Sequence, residues 1–539
     1  MKLNLKGLEE YNAWRNAEIE LPSYDIKKVR ANTEKAPQWV HFGIGNIFRI
    51  FIGGIADKLL ESGDMDTGFV CAETYDYDVV DKVYRPYDNL MLSVILNKDG
   101  SQQRKVLAPF AEAVKANPLF EDDWKTIQKV FASDSLQIVS FTITEKGYAL
   151  TNANGSYTEA VKKDFENGPS LPQTAMAVVT SLLYQRYLNG SAPLALVSMD
   201  NCSHNGERLQ NAVKTIAHEW IARGYCEKEF DLYLSDDALV AFPWTMIDKI
   251  TPRPEPEVQK QLESLGVEDM DIIETDKKTF IAPFGNAEKA QYLVVEDKFP
   301  NGRPPLEKVG VYMTDRDTVS KSERMKVCTC LNPIHTALCT YDCMFGYEMF
   351  ADGMKDPELH ELACQIGYVE GMKVVTDPGI LSPKDFLKEV IEVRMPNPYL
   401  GDTSQRIAVD ISQMVGIRFG ETIRSYVSRF GTASDLVGIP LAIAGWLRYL
   451  LAVDDDGKPF SPAPDPMLSE LQEQIKGIET GDPAIIHERL QPILSNSNIF
   501  GIDLYEAGIG NKIETMVAEE MQGPGSVRKT LQKYLRKGE

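Results

Sequence analysis

The chain has 539 residues, 43% hydrophobic and 25% charged, which is ordinary for a globular protein and too long for one core. A net charge of −22 repels nucleic acid and anionic membranes at long range, so an anionic substrate would need a local cationic pocket. Eight cysteines at this length make no disulfide framework, residues 1–16 lack the apolar core of a signal peptide, and the apolar stretch 438–453 is short and interrupted by Arg448. The expectation is a soluble protein of the reducing cytoplasm, with neither nucleic acid nor membrane as partner.

Taken in chain order, residues 38–42 read as a strand, Gly43-Ile-Gly45 as a tight turn and 50–60 as a helix. Further apolar runs at 68–72, 136–143, 194–199 and 291–296 read as strands, most of them followed by polar or helical sequence. Strands alternating with helices predict an α/β fold with a mostly parallel sheet. The Pro/Gly-rich stretch 299–305 then ends this pattern, and long helical patterns follow at 336–349 and 408–430. The expected division is a Rossmann-type NAD-binding domain over 1–308 and a mainly helical substrate domain over 309–539. No repeat and no heptad run stands out.

Two segments carry chemistry. In the first, Gly43 and Gly45 let the backbone turn tightly and let a pyrophosphate approach the helix that follows. The third glycine of the usual fingerprint is replaced by Phe48. The next strand ends in Glu73, an acid able to hold a ribose 2′-hydroxyl and to repel a 2′-phosphate, which favours NAD over NADP. A solvated loop residue is the alternative reading of Glu73.

The second segment runs from Glu323 to His335 and contains Lys326 and Asn332. A buried lysine can act as acid or base, an asparagine amide can donate to a developing oxyanion, and an imidazole can position a hydroxyl. The bland alternative is a surface lysine, an N-cap asparagine before Pro333 and a core histidine. At roughly 100° per residue on a straight helix, Lys326 points opposite His335. The constellation therefore requires a break between Lys326 and Pro333. Cys328, Cys330, His335, Cys339 and Cys343 also crowd this region. Their C-x-C spacing and helical periodicity favour core packing over zinc.

These segments resemble the mannitol dehydrogenase family of polyol-specific long-chain dehydrogenases. The resemblance extends through Thr74-Tyr-Asp-Tyr-Asp, Tyr84-Arg-Pro-Tyr-Asp-Asn-Leu, residues 142–148, Asp200-Asn201-Cys-Ser-His-Asn205-Gly and Phe242-Pro-Trp-Thr-Met-Ile-Asp248. It implies a cleft between the two domains, no metal, and NAD contacts from Gly43, Gly45, Asn46, Phe48, Arg49, Glu73, Thr142, Thr144, Glu145 and Asp200. It further implies Lys326 as acid/base, Asn332 and Asn201 as donors to the reacting oxygen, His335 and Asp248 at the substrate, and Glu323 on the proton path. The common family spacing is Lys-x4-Asn-x2-His, whereas here five residues separate Lys326 from Asn332. The Asn-Pro-x-His form is that of the uronate-reducing branch. This implies reversible reduction of D-fructuronate to D-mannonate, with tagaturonate reduction, mannitol 2-dehydrogenation or a non-catalytic NAD sensor as alternatives. A uronate carboxylate calls for an arginine, and of Arg418 and Arg424 the second is favoured. Family members are often monomeric, so a monomer or weak homo-oligomer is expected, with a small sugar acid or polyol as its ligand.

Overall fold

The computed structural model describes residues 1–535. The chain forms two compact units, Met1–Ser320 and Lys321–Glu539.

The first unit is built on a six-stranded sheet. Its strands are β1 (Trp39–Phe42), β2 (Phe69–Glu73), β3 (Phe110–Lys115), β4 (Ile138–Phe141), β5 (Leu194–Ser198) and β6 (Val240–Ala241), in spatial order β3-β2-β1-β4-β5-β6. Every neighbouring pair is parallel. Every residue of β1, β2, β4 and β5 is buried, as a parallel sheet covered on both faces requires. Alternate side chains feed two cores. Val40, Phe42, Val139, Phe141 and Leu196 enter one, while Trp39, Phe69, Ile138 and Val197 enter the other. The strands expected at 38–42, 68–72, 136–143 and 194–199 are thus present. The fifth, β8 (Tyr292–Glu296), lies instead in a separate small sheet, antiparallel to β7 (Thr245–Asp248) and parallel to β9 (Tyr312–Thr314). Because β9 continues that sheet past the Pro/Gly stretch, the first compact unit extends to Ser320. The boundary falls inside a helix, Arg316–Met325.

Helix α1 (Gly53–Ser62) follows β1 through a π-helical turn, Phe48–Ile52. Helix α2 (Asn205–Ala222) follows β5, and α3 is the boundary helix Arg316–Met325. The second unit is helical. Helix α4 (Asn332–Phe345) starts four residues earlier than expected and stops where Gly346 adopts a left-handed φ of 78°. The helix expected over 408–430 is two, α5 (Ile411–Arg418) and α6 (Gly420–Phe430), interrupted at Phe419, where φ widens to −109°. Helix α7 (Gly438–Tyr449) is buried at all twelve positions. Its apolar sequence fills a core, and Arg448 near its end donates to the carbonyls of Val453 and Asp454. Among the described residues no helix is long and apolar enough to cross a membrane.

Helix α4 lies against α7, which in turn contacts α8 (Gly510–Glu520). Tyr341 of α4 joins all three, its hydroxyl lying 2.7 Å from the Leu441 carbonyl and 3.0 Å from Glu520 Oε1. Burial pushes the Glu520 carboxyl from its ordinary 4.5 up to about 8. The folded state therefore holds a proton that the unfolded chain has released between those values. Stability falls as pH rises through this window, and the loss is complete above it. Glu520→Gln should accordingly flatten the pH dependence of thermal unfolding. At pH 8.5 the variant should melt higher by roughly 2–4 °C for each kcal/mol relieved, with no gain near pH 4.5, as measured by calorimetry.

Candidate active site

The strand order places a topological switch point between β2 and β4, on either side of β1, where open α/β sheets bind ligands at the carboxyl ends of their strands. Three expected segments meet there: the turn after β1, the end of β2 and the loop after β4. Gly43 has a φ of +84°, and a Cβ built on it would overlap the Thr142 carbonyl, so only glycine fits. Gly45 differs: a Cβ there meets nothing within 4 Å, which leaves its backbone open to a ligand. This cradle fits a dinucleotide pyrophosphate.

The turn is held from below. His41 bonds Ser140 Oγ at 2.6 Å and Thr142 Oγ1 at 2.9 Å, and burial keeps its ring neutral. Phe48 stacks on that ring at 3.9 Å between centroids and is wholly buried. Arg49 is also buried, donating to the Ala282 carbonyl at 2.8 Å and to Asn46 Oδ1 at 2.7 Å. Phe48 and Arg49 thus point into the core and support the turn. This corrects the expectation that they touch the cofactor. Glu73 is likewise buried. Its Oε1 accepts the N–H groups of Thr74, Tyr75 and Asp76, and its Oε2 accepts that of Ile44 at 3.3 Å. It ties the glycine turn to the end of β2, with three donors on Oε1 and one on Oε2. Burial raises its pKa and these four bonds oppose the shift.

In the loop after β4, Thr142 Oγ1 donates to the Gly43 carbonyl at 2.8 Å. Thr144 and Glu145 are exposed. The Asp200 carboxylate is occupied by the N–H groups of Ile143 and Thr144 and by the Tyr148 hydroxyl, so it orders this loop. Asn201 follows, exposed. Sequence reasoning gave Asn205 no role. This buried side chain donates to the Asp200 carbonyl and to Thr245, and accepts the Thr245 N–H. It fixes the Asp200–Asn201 corner to β7, whose last residue is Asp248, itself buried. Its signal was its place in the Asp-Asn-Cys-Ser-His-Asn-Gly motif.

In the second unit, Glu323 stands on α3 and Lys326 opens a π-helical turn, Lys326–Cys330. Lys326 is 2% exposed. The turn closes with a bond from Leu331 N–H to the Lys326 carbonyl, five residues apart, at 3.1 Å. A π turn accommodates one more residue than an α turn, so it takes up the extra residue between Lys326 and Asn332. Thr422 supports it by donating to the Cys328 carbonyl. The break required by the helical geometry falls at Leu331, with φ −125° and ψ −66°. Leu331, not Asn332, is therefore the N-cap of α4, and Asn332 makes no capping bond. The Asn332 Oδ1 atom is instead buried without a hydrogen-bond partner. One turn on, the half-buried His335 ring meets Phe350 edge-on at 4.9 Å.

The two arginines separate clearly. Arg424 is ion-paired with Glu421, which also pairs with Arg324. Arg418 is half-buried and donates to Thr336 Oγ1 at 2.6 Å, beside His335. Among the described residues no carboxylate pairs with Arg418, whereas the guanidinium of Arg424, the residue favoured for an anion, is engaged by Glu421. The clustered cysteines line the core. Burial pushes the thiols of Cys328, Cys330 and Cys343 up to about 12. Among the described residues no three His, Cys, Asp or Glu side chains gather as metal ligands.

Residues 37–308 match the mannitol dehydrogenase Rossmann domain, and residues 318–521 match the mannitol dehydrogenase C-terminal domain. The D-mannonate oxidoreductase of Thermotoga maritima is 49% identical over 538 residues, 99% of each chain. Among solved structures, the Pseudomonas fluorescens mannitol 2-dehydrogenase in ternary complex with NAD and D-mannitol matches with a TM-score of 0.72 at 25% identity, covering 100% of both chains. A substrate-free D-sorbitol dehydrogenase matches with a TM-score of 0.76 at 25% identity, over 96% of this chain and 98% of its own. With both of its domains matched, the chain belongs to the mannitol dehydrogenase family.

Proposed function

We propose that this chain is an NAD-dependent oxidoreductase that reversibly reduces D-fructuronate to D-mannonate. The observation that carries the reading is the 49% identity to a D-mannonate oxidoreductase along the whole length of both chains. The Arg418 guanidinium, half-buried and without a carboxylate partner, is consistent with a substrate that brings its own carboxylate.

Bound NADH supplies the hydride that forms the new C–H bond at the C5 ketone (counted from the carboxyl carbon). Lys326 Nζ gives a proton to the ketone oxygen as it becomes an alkoxide, so the oxygen leaves as a hydroxyl. Its burial keeps that proton from exchanging freely with bulk water. Glu323, three residues upstream, returns a proton to the lysine. The Asn332 amide N–H stabilises the developing charge. Its orphaned Oδ1 accepts from a substrate hydroxyl, because an unsatisfied buried acceptor costs about 1–3 kcal/mol. Asn201 is assigned as a second amide donor, and His335 and Asp248 as substrate contacts. Gly43, Gly45, Asn46, Thr142 and Glu145 are assigned to the cofactor cradle, with Thr144 shaping it through its backbone and Glu73 assigned to the ribose.

Lys326→Ala should lower kcat for D-fructuronate reduction by roughly 10²–10⁴-fold while NADH still binds, as followed by NADH absorbance and fluorescence titration. Undiminished turnover would remove the lysine from the mechanism and favour a sensor role. Arg418→Met should raise KM for D-fructuronate by about 30-fold or more and change D-fructose turnover little, while Arg424→Met should act weakly on both. A wild-type preference for D-fructose or D-tagaturonate in the same assay would overturn the substrate assignment.

A further inference from the structure

The loop after β4 carries a conformation that its sequence resists. Thr144 has a φ of +62°. Among the described non-glycine residues with positive φ, it is the only β-branched one. A β-branched side chain collides with its own backbone there, and such strain persists only where neighbouring groups enforce it. The enforcing group is Asp200. Its Oδ1 accepts the Thr144 N–H at 3.0 Å, and its Oδ2 accepts the Ile143 N–H at 2.9 Å. The Tyr148 hydroxyl, at the far end of the short helix Thr144–Tyr148, donates to Oδ2 at 2.6 Å and bonds Ser198 Oγ at 2.8 Å. Asp200 is aimed in turn by Asn205, which holds its carbonyl. The strained residue sits two positions after Thr142. That residue's hydroxyl bonds the Gly43 carbonyl, and its own carbonyl fills the space a Cβ on Gly43 would need.

We propose that Asp200 is a positioning residue that acts through Thr144. By holding the loop in its left-handed conformation, it sets the position of Thr142 and hence the shape of the glycine turn that receives NAD. The proposal rests on the reading of Gly43–Gly45 as the cofactor cradle. With all three donors already on its carboxylate, Asp200 influences the cofactor without touching it. Replacing it lets Thr144 relax to a negative φ, and the loop withdraws from the turn. Affinity for NADH then falls, while the chemistry at Lys326 proceeds once the cofactor is bound. A glycine at 144 has no such preference and keeps the native conformation without the carboxylate.

The test is NADH affinity, by fluorescence titration and by KM, in Asp200→Asn, in Asp200→Asn with Thr144→Gly, and in Gly45→Val. Asp200→Asn should weaken NADH binding on the order of tenfold, the scale of one strained residue, with kcat at saturating NADH within about threefold of the parent. Adding Thr144→Gly should restore most of the affinity. A double variant as weak as Asp200→Asn alone would overturn the proposal, because a direct contact or a general loss of folding is not repaired at position 144. Should Asp200→Asn fail to fold, Tyr148→Phe removes one donor from the same carboxylate. It should give a smaller loss, again repaired by Thr144→Gly, and no repair would overturn the proposal. Gly45→Val tests the cradle separately. Its side chain enters open space, so an unchanged NADH affinity there would refute the cofactor site itself, whatever the Asp200 variants show.

Discussion

A carboxylate taken out of water must be surrounded by donors, and here the donors are backbone N–H groups where the chain turns. Glu73 gathers four of them at the end of β2. Asp200 gathers two and a hydroxyl after β5. In the helical unit Glu370, 2% exposed, accepts from Val437, Gly438 and Ile439 and so caps the fully buried helix α7. Asp455 does the same at Val527 and Arg528. An isolated turn cannot bury its free N–H groups alone, and a buried acid cannot stay ionised alone. Each solves the other's problem, and the turns held this way include those that shape the candidate site.

This pairing explains which parts of the molecule were legible in its sequence. The strands of the parallel sheet were, because burial on both faces leaves uninterrupted apolar runs such as Leu194-Ala-Leu-Val-Ser. Strand β3 was not. Its Phe110-Ala-Glu-Ala-Val-Lys pattern mixes charge into an edge position, and its register shifts beside Phe69 and Val70. Strand β9 was not legible either, because it lies beyond a Pro/Gly stretch that resembles a linker.

At the site, residue types were legible and side-chain directions were not. Arg49 looks like a phosphate ligand beside a glycine turn, but one residue's rotation sends it under the turn to Ala282. Arg418 and Arg424 lie six residues apart and look equivalent. The difference is Glu421, one helical turn before Arg424, which claims that guanidinium and leaves Arg418 to Thr336. The structural use of acids was hidden for the same reason: nothing in a sequence reveals that backbone N–H groups bond the oxygens of Glu73 and Asp200.

The π turn at Lys326–Cys330 also decouples chain length from shape. An α-helix that absorbs one surplus residue as a local bulge keeps the direction of the segments on either side. A chain with four residues between this lysine and asparagine, in ordinary helical bonds, and a chain with five, in a bulge, can therefore present the same two groups alike. Aligning such relatives by residue count would misplace one of the pair, whereas aligning them by hydrogen-bond pattern would not. For this stretch of backbone, a one-residue difference in spacing and a common geometry are compatible.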